Sequence, residues 1–289
     1  LDNNLSANKP DGPVTAHPIQ SWFASRSPDL SQRFHQSILV KLPADTSRDA
    51  VRNALQALVD RHGALRCIFD PVTGMVTEPD AVTAMPELAI CDLRDTQSVD
   101  TGLRREAAAE KAHKQINTKT GGLFAACLLN ETDGDWLLLV GHHLAVDLVS
   151  WHIMVDELSH MITKPNVPLV DAPSYGAICA GLAQEARSPV TTTERPYWDA
   201  IALQSDAISW PSASGKAGPL INRTSNVAVS LPSGAKGQSQ LLQSMAQAAR
   251  STFGWCSSVI DLETHGRDLP RSITDTSRCV GWFTRITPV

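Results

Sequence analysis

Residues 123–161 read LFAACLLNETDGDWLLLVGHHLAVDLVSWHIMVDELSHM, and the fold class turns on this stretch. Leu123 to Asn130 is a β-rich run, ETDG (131–134) is turn chemistry, and WLLLV (136–140) is a second strand. WLLLV is apolar at every position, so it belongs at the centre of a sheet covered on both faces. Gly141 and HHLAVD (142–147) then turn the chain, and an amphipathic helix runs from about Leu148 to Met161. Two strands followed by a helix describe an α/β layer.

Working outward from there, FHQSILVKL (34–42) is strand-like. Ser47 to His62 reads as a helix, because Val51, Leu55 and Leu58 share one face and Thr46 or Ser47 can cap it. Gly63 stops that helix, and ALRCIF (64–69), DPVTG (70–74) and MVTE (75–78) form a strand, a turn and a strand. A charged helix covers Leu103 to Ile116. Downstream, the proline-rich KPNVPLVDAPSY (164–175) is a crossing segment, followed by helices from Gly176 to Ala186 and from Glu194, then a loop at 210–226. The pattern restarts with strand VAVSL (227–231), helix Gln238 to Arg250 and strand SVIDLE (258–263). The expected organisation is a linker at 1–13, an α/β lobe with a mixed sheet at 14–170, a helical crossing and loop at 171–226, and a shorter second lobe at 227–289.

Composition sets the outer bounds. The chain has 289 residues, 42% hydrophobic and 19% charged, which is ordinary globular usage and excludes collagen-like or low-complexity chains. Lys and Arg number 25 against 30 Asp and Glu, for a net charge of −5. A weakly acidic chain without a basic block is a poor match for nucleic acid or an anionic membrane. No apolar run approaches the ~20 residues of a membrane span. The N-terminal residues lack the basic-then-apolar order of a secretory signal, so a cytoplasmic protein is expected. Cys67, Cys91, Cys127, Cys179, Cys256 and Cys279 are dispersed singly, with no CxxC and no His at metal spacing. They read as reduced thiols, and no metal site is expected.

Three segments could carry chemistry. In His142-His143-Leu144-Ala145-Val146-Asp147, adjacent histidines on an extended chain point to opposite sides, so at most one faces a given cavity. A neutral imidazole there is a good proton acceptor near neutral pH, although a lone His is also often a hydrogen-bonded core residue. Asp147 reads as structural, a helix cap or ion-pair member. In DLETHGRD (261–268), Glu263 at a strand end is either an acid–base group or a solvated surface residue, and Arg267 is a natural partner for Asp147. In VGWFT (280–284), Gly281 followed by Trp282 and Phe283 suits a cavity floor or plain core packing.

These segments together resemble the condensation-domain superfamily of nonribosomal peptide synthetases, and most of all its epimerization branch. His142 through Asp147 match HHxxxD. Ser150-Trp151, Glu263 through Arg267 (ETHGR, near EGHGR) and VGWFT (280–284, including Thr284) are similar to the branch's variants. HPIQSWF (17–23) resembles its opening segment, and RHGALR (61–66) the early RHxxLR. Leu148 and Thr264 stand where the family usually has Gly, and Asp268 where it has Glu.

The resemblance implies a chloramphenicol-acetyltransferase-like α/β fold, two lobes in a V around a central tunnel, with the second lobe incomplete. It implies L-to-D epimerization at Cα of an aminoacyl or peptidyl thioester carried on the 4'-phosphopantetheine arm of an upstream peptidyl carrier domain, among neighbouring synthetase domains and with no intrinsic cofactor. His143 and Glu263 are then the catalytic pair, one from each lobe. His142 points away to support the sheet, and Asp147 with Arg267 ties the histidine loop down. Ser150 and Trp151 support the site, and Gly281, Trp282, Phe283 and Thr284 line it. Two other readings belong to the same resemblance: a condensation domain that forms peptide bonds, and a carrier-docking remnant without catalysis.

Overall fold

The computed structural model describes residues 9–26, 33–79, 88–94, 98–206, 228, 230–254, 259–270, 273 and 275–289. The central sheet has four strands. β2 (His35–Lys41), β7 (Gly134–His142), β6 (Phe124–Glu131) and β5 (Ala89–Asp92) lie side by side in that order. β7 runs antiparallel to both neighbours, and β5 is parallel to β6, so the sheet is mixed. WLLLV is indeed central.

Strand alternation sorts the core into two layers. Phe124, Ala126 and Leu128 on β6, with Leu137 and Leu139 on β7, face α2 (Arg48–Arg61), α4 (Leu148–Thr163) and α5 (Tyr175–Glu185), where Leu55, Leu58, Met154, Leu158 and Ile178 complete one cluster. The intervening Ala125, Cys127, Leu129, Leu138 and Val140 face Ala108, Ala112 and Ile116 on and just beyond α3 (Ser98–Gln115). Both faces of β6 and β7 are therefore covered by helices. Burying a leucine-sized side chain contributes about 1.5–3 kcal/mol, so these two strands hold much of the apolar gain of the unit. A smaller sheet of β1 (Val14–Thr15), β4 (Met75–Thr77) and β3 (Ile68–Asp70) lies beside this layer, in the order β1-β4-β3.

The helix at 47–62 forms at Arg48–Arg61, with Ser47 accepting from Ala50 N as N-cap. ALRC is not strand. Residues Gly63–Arg66 form a 3-10 turn, because Arg66 Nη1 donates to Val59 O and Asp60 O at the end of α2. HPIQSWF contributes α1 (Pro18–Arg26), which starts with proline at its first position. The helix expected from Glu194 starts earlier, as α6 (Pro189–Asp206), and α7 (Ala235–Phe253) contains the one expected at 238–250. Ala228, Ser230 and Leu231 are not in a strand, and the remainder of VAVSL lies outside the described residues, as does the 210–226 loop. β8 (Asp261–Thr264) pairs with β9 (Arg285–Pro288).

Two compact units result, Leu1–Ser188 with Glu263–Arg285, and Pro189–Leu262 with Ile286–Val289. The division by packing therefore differs from the division of the sequence into lobes. The segment carrying ETHGRD and VGWFT, assigned from the sequence to the second lobe, is embedded in the first unit. Cys67, Cys127, Cys179 and Cys279 are buried free thiols and Cys91 is partly buried, while Cys256 lies outside the described residues. Burial raises the pKa values of the four buried thiols. Among the described residues no helix is long and apolar enough to cross a membrane, and no group of three His, Cys, Asp or Glu can hold a metal.

Candidate active site

The last residue of β7 is His142, and strand parity continues through the pair of histidines. His142 falls on the α3 side. It is fully buried, edge-on to His35 at 5.2 Å between ring centroids, and its Nδ1 accepts from Leu144 N at 3.1 Å. His143 falls on the opposite side with Gly141. Its ring lies between Phe34, stacked at 4.7 Å, and Trp282, tilted at 4.4 Å.

His143 Nδ1 lies 2.8 Å from Val146 O, and a carbonyl can only accept, so Nδ1 carries the proton of the neutral ring. Nε2 is left as the basic nitrogen, 2.9 Å from Gln36 Nε2. Burial lowers the pKa of His143. The hydrogen bond to Val146 and the charges of Asp147 and Glu263 oppose that shift without cancelling it. The ring is thus neutral near neutral pH.

Asp147 is the N-cap of α4. Its Oδ1 accepts from Ser150 N at 2.7 Å and from Arg267 Nη2 at 2.9 Å, and its Oδ2 accepts from Phe283 N at 3.2 Å. Both charged side chains are more than nine-tenths buried. Arg267 Nη1 also donates to Thr276 O and Cys279 O, and its guanidinium lies 4.4 Å over the Phe283 ring. Ser150 Oγ accepts from Gly281 N at 3.0 Å. One carboxylate and one guanidinium thereby pin the histidine turn, the start of α4 and residues 276–283 to each other. Gly266 makes the join possible: its φ is +62°, and a Cβ there would lie 1.7 Å from Phe283 O.

The opening segment buttresses the same turn. Gln20 is buried and donates to Leu144 O at 2.7 Å, while Phe23 stacks on Phe34 at 4.5 Å. RHGALR is framework as well, since Arg61 Nε and His62 Nε2 lie 3.0 and 2.7 Å from the buried Glu157 on α4.

A cavity of about 450 Å3 opens over His143, and its lining includes Gln36, Asp147, Glu263, His265 and Thr284. His143 and Glu263, distant in the chain, border the same space. Glu263 is exposed on β8. Trp282 and Phe283 are buried behind this lining, and Ser150 and Trp151 lie beneath the turn. Gln36 and His265 were not singled out from the sequence. Gln36 sits at the position of an alternating strand shared with Ile38 and Val40, whose side chains pack on the core. A polar side chain in that row was the available signal.

The family model of the condensation domain matches residues 11–289. Similar proteins include surfactin synthase subunit 1 of Bacillus subtilis, 27% identical over 300 residues, and one of the plipastatin synthase subunits of the same organism, 29% identical over 301 residues. A nonribosomal peptide synthetase of Aspergillus violaceofuscus is 27% identical over 298 residues. These alignments cover 96%, 96% and 94% of this chain but only 8%, 12% and 3% of the relatives, so the chain spans a small part of their length. The epimerization domain from the third module of tyrocidine synthetase B superposes with a TM-score of 0.75 at 22% identity, over 98% of this chain and 69% of that one. The condensation domain of the Monacolin K polyketide synthase superposes at 0.70 and 15% identity, over 97% and 68%. At these identities the structural likeness is one of fold. The family match, by contrast, runs through every segment that builds the cavity, and the chain belongs to the condensation-domain family.

Proposed function

We propose that this domain is an isomerase that inverts Cα of an aminoacyl or peptidyl thioester, presented on the 4'-phosphopantetheine arm of an upstream peptidyl carrier domain of a nonribosomal peptide synthetase. A carbonyl bonded to sulfur acidifies the adjacent Cα–H, because the carbanion delocalises into an enolate. Inversion requires a group that takes this proton on one side and a group that returns one on the other. His143 starts neutral with Nε2 as its basic nitrogen and takes the Cα proton, and in this reading Glu263 must enter the turnover protonated to return one on the other side. The observation that carries the reading is that His143 and Glu263 line one cavity. Neither residue is offered by the other's segment alone, and a condensation reaction, which needs only the histidine to place an amine, gives no role to Glu263.

The test is incubation with an aminoacyl-loaded carrier in D2O, followed by analysis of product chirality and mass. The expected result is D-configured product carrying deuterium at Cα, lost in both His143→Ala and Glu263→Gln. New amide product without inversion would move the assignment to peptide-bond formation. Carrier binding with neither exchange nor amide formation would leave a docking domain.

A further inference from the structure

We propose that Gln36 is a positioning residue that caps the basic nitrogen of His143 until substrate displaces it and reinforces the tautomer that Val146 O selects, with Trp151 deciding which way the Gln36 amide faces. The inference deepens the reading of His143 as a proton acceptor and rests on it.

Three hydrogen bonds run in series. Trp151 Nε1 lies 2.8 Å from Gln36 Oε1, Gln36 Nε2 lies 2.9 Å from His143 Nε2, and His143 Nδ1 lies 2.8 Å from Val146 O. The two ends have only one possible direction: an indole N–H donates and a carbonyl accepts. Every bond between them is therefore directed. The indole holds the amide oxygen, the amide N–H faces the ring, and the ring must accept at Nε2 while it donates at Nδ1. Flipping the Gln36 amide would set its N–H against the indole N–H and its oxygen against the lone pair of Nε2. An imidazolium would set Nε2–H against the amide N–H. The relay thus selects one tautomer and opposes protonation. Asp147, Glu263 and His265 are the titratable groups that border the same cavity, and the two carboxylates pull the other way.

The fold provides the relay's geometry. Gln36 pairs with Gly141 across the β2–β7 ladder, so it is diagonal to His143 on the same face, within reach of a long side chain. Gly141 makes room for the indole: a Cβ there would lie 3.2 Å from the Trp151 ring and 2.9 Å from Val146 Cγ2. Gln36 and His143 both border the cavity, so a Cα–H approaching Nε2 takes the place of the amide N–H. The base is held neutral, oriented and covered until then.

The experiment is 1H–15N correlation of the imidazole nitrogens in the 15N-histidine-labelled full chain, with the His143 signals assigned by their loss in His143→Ala, titrated from pH 5 to 9. Wild type should show a pyrrole-type Nδ1 and a pyridine-type Nε2. Gln36→Glu places an acceptor or an acid proton against Nε2, so the pair retains one more proton and the midpoint rises. Trp151→Phe frees the amide to flip, and the midpoint rises by less. Gln36→Met, close in volume, removes the donor facing Nε2, so the midpoint should rise while the Val146 carbonyl still holds the proton of the neutral ring on Nδ1. Turnover in Gln36→Glu should fall about tenfold in kcat at neutral pH with KM little changed, and recover as pH rises. A pyridine-type Nδ1 in wild type overturns the inference, as does a Gln36→Glu midpoint equal to wild type. The nuclear signals do not depend on turnover. An intact relay without epimerization therefore sinks the proposed function alone, while epimerization unaffected in Gln36→Glu sinks the role of Gln36 alone.

Discussion

His142 and His143 are neighbours in the chain and occupy opposite faces of one strand. On the α3 face, His142 is fully enclosed, accepts from a backbone N–H two residues on and meets His35, which in turn stacks on His113 at 5.0 Å. On the other face, His143 borders a cavity and is held by Gln36, Val146, Phe34 and Trp282. The same residue type serves as framework in one position and, in the proposed reading, as the base in the next. The difference is created by alternation along β7, since a shift of one residue in register would exchange the two environments.

The His143 face also contains the buried pair Asp147–Arg267, and removing it should produce the largest effect. Arg267→Leu leaves the carboxylate enclosed without its cation, a change that costs about 3–5 kcal/mol for a buried pair. The loss should appear as a lower urea midpoint and as disordered packing of residues 276–283, which the same guanidinium holds through two carbonyls. A loss below about 1 kcal/mol would mean that the histidine turn is held by the α4 cap and the Ser150–Gly281 bonds, not by charge. The two faces would then be equal in dependence on buried ions.

Much of this arrangement was legible in the residues. Continuous apolar content placed β7 at the centre, and adjacent histidines on an extended segment had to diverge. The pairing of Asp147 with Arg267 followed from charge type alone, although it operates within one compact unit. Other features needed three dimensions. AICD is too short and too mixed to announce β5, and its parallel partner comes from a distant segment. ALR (64–66) reads as a strand by propensity but is captured in the 3-10 turn Gly63–Arg66 by Arg66 and the carbonyls at the end of α2. Gln36 in FHQSILVKL is one polar residue in an alternating strand. Its significance depends on the register that sets it against Gly141, which no local pattern reveals.

Acid should act on the His143 face next. Burial lowers the pKa of His17, to about 4, with Arg267 adding to the shift and Asp147 opposing it, and burial also lowers those of His62 and His143. All three favour the neutral ring in the folded state. The unfolded chain binds more protons below pH 6.5, so stability is fully present above that value and is lost as pH falls toward 4. His17 alone should account for about 3 kcal/mol of this loss. Urea midpoints measured between pH 7 and 4 should fall in wild type and fall less steeply in His17→Gln. Equal slopes would show that His17, edge-on to Phe283 at 5.6 Å, gains its proton without disturbing the fold.

The smallest energetic effect separates the two histidines most directly. His142→Ala removes a fully enclosed ring and leaves Leu144 N without its acceptor, so a cost of about 1–3 kcal/mol is expected for the unmet buried group. His143→Ala removes a ring at a cavity edge, where water can reach Gln36 Nε2 and satisfy it, so the cost in stability should be smaller. Their effects on Cα deuterium exchange should be reversed: complete loss in His143→Ala, and retention in His142→Ala at temperatures where the variant remains folded. Urea midpoints and exchange rates measured on the same two variants place each residue independently on both axes. Loss of exchange in a stably folded His142→Ala would mean that the α3 face participates in the chemistry. Strand alternation would then distribute the work between two histidines without assigning it to one.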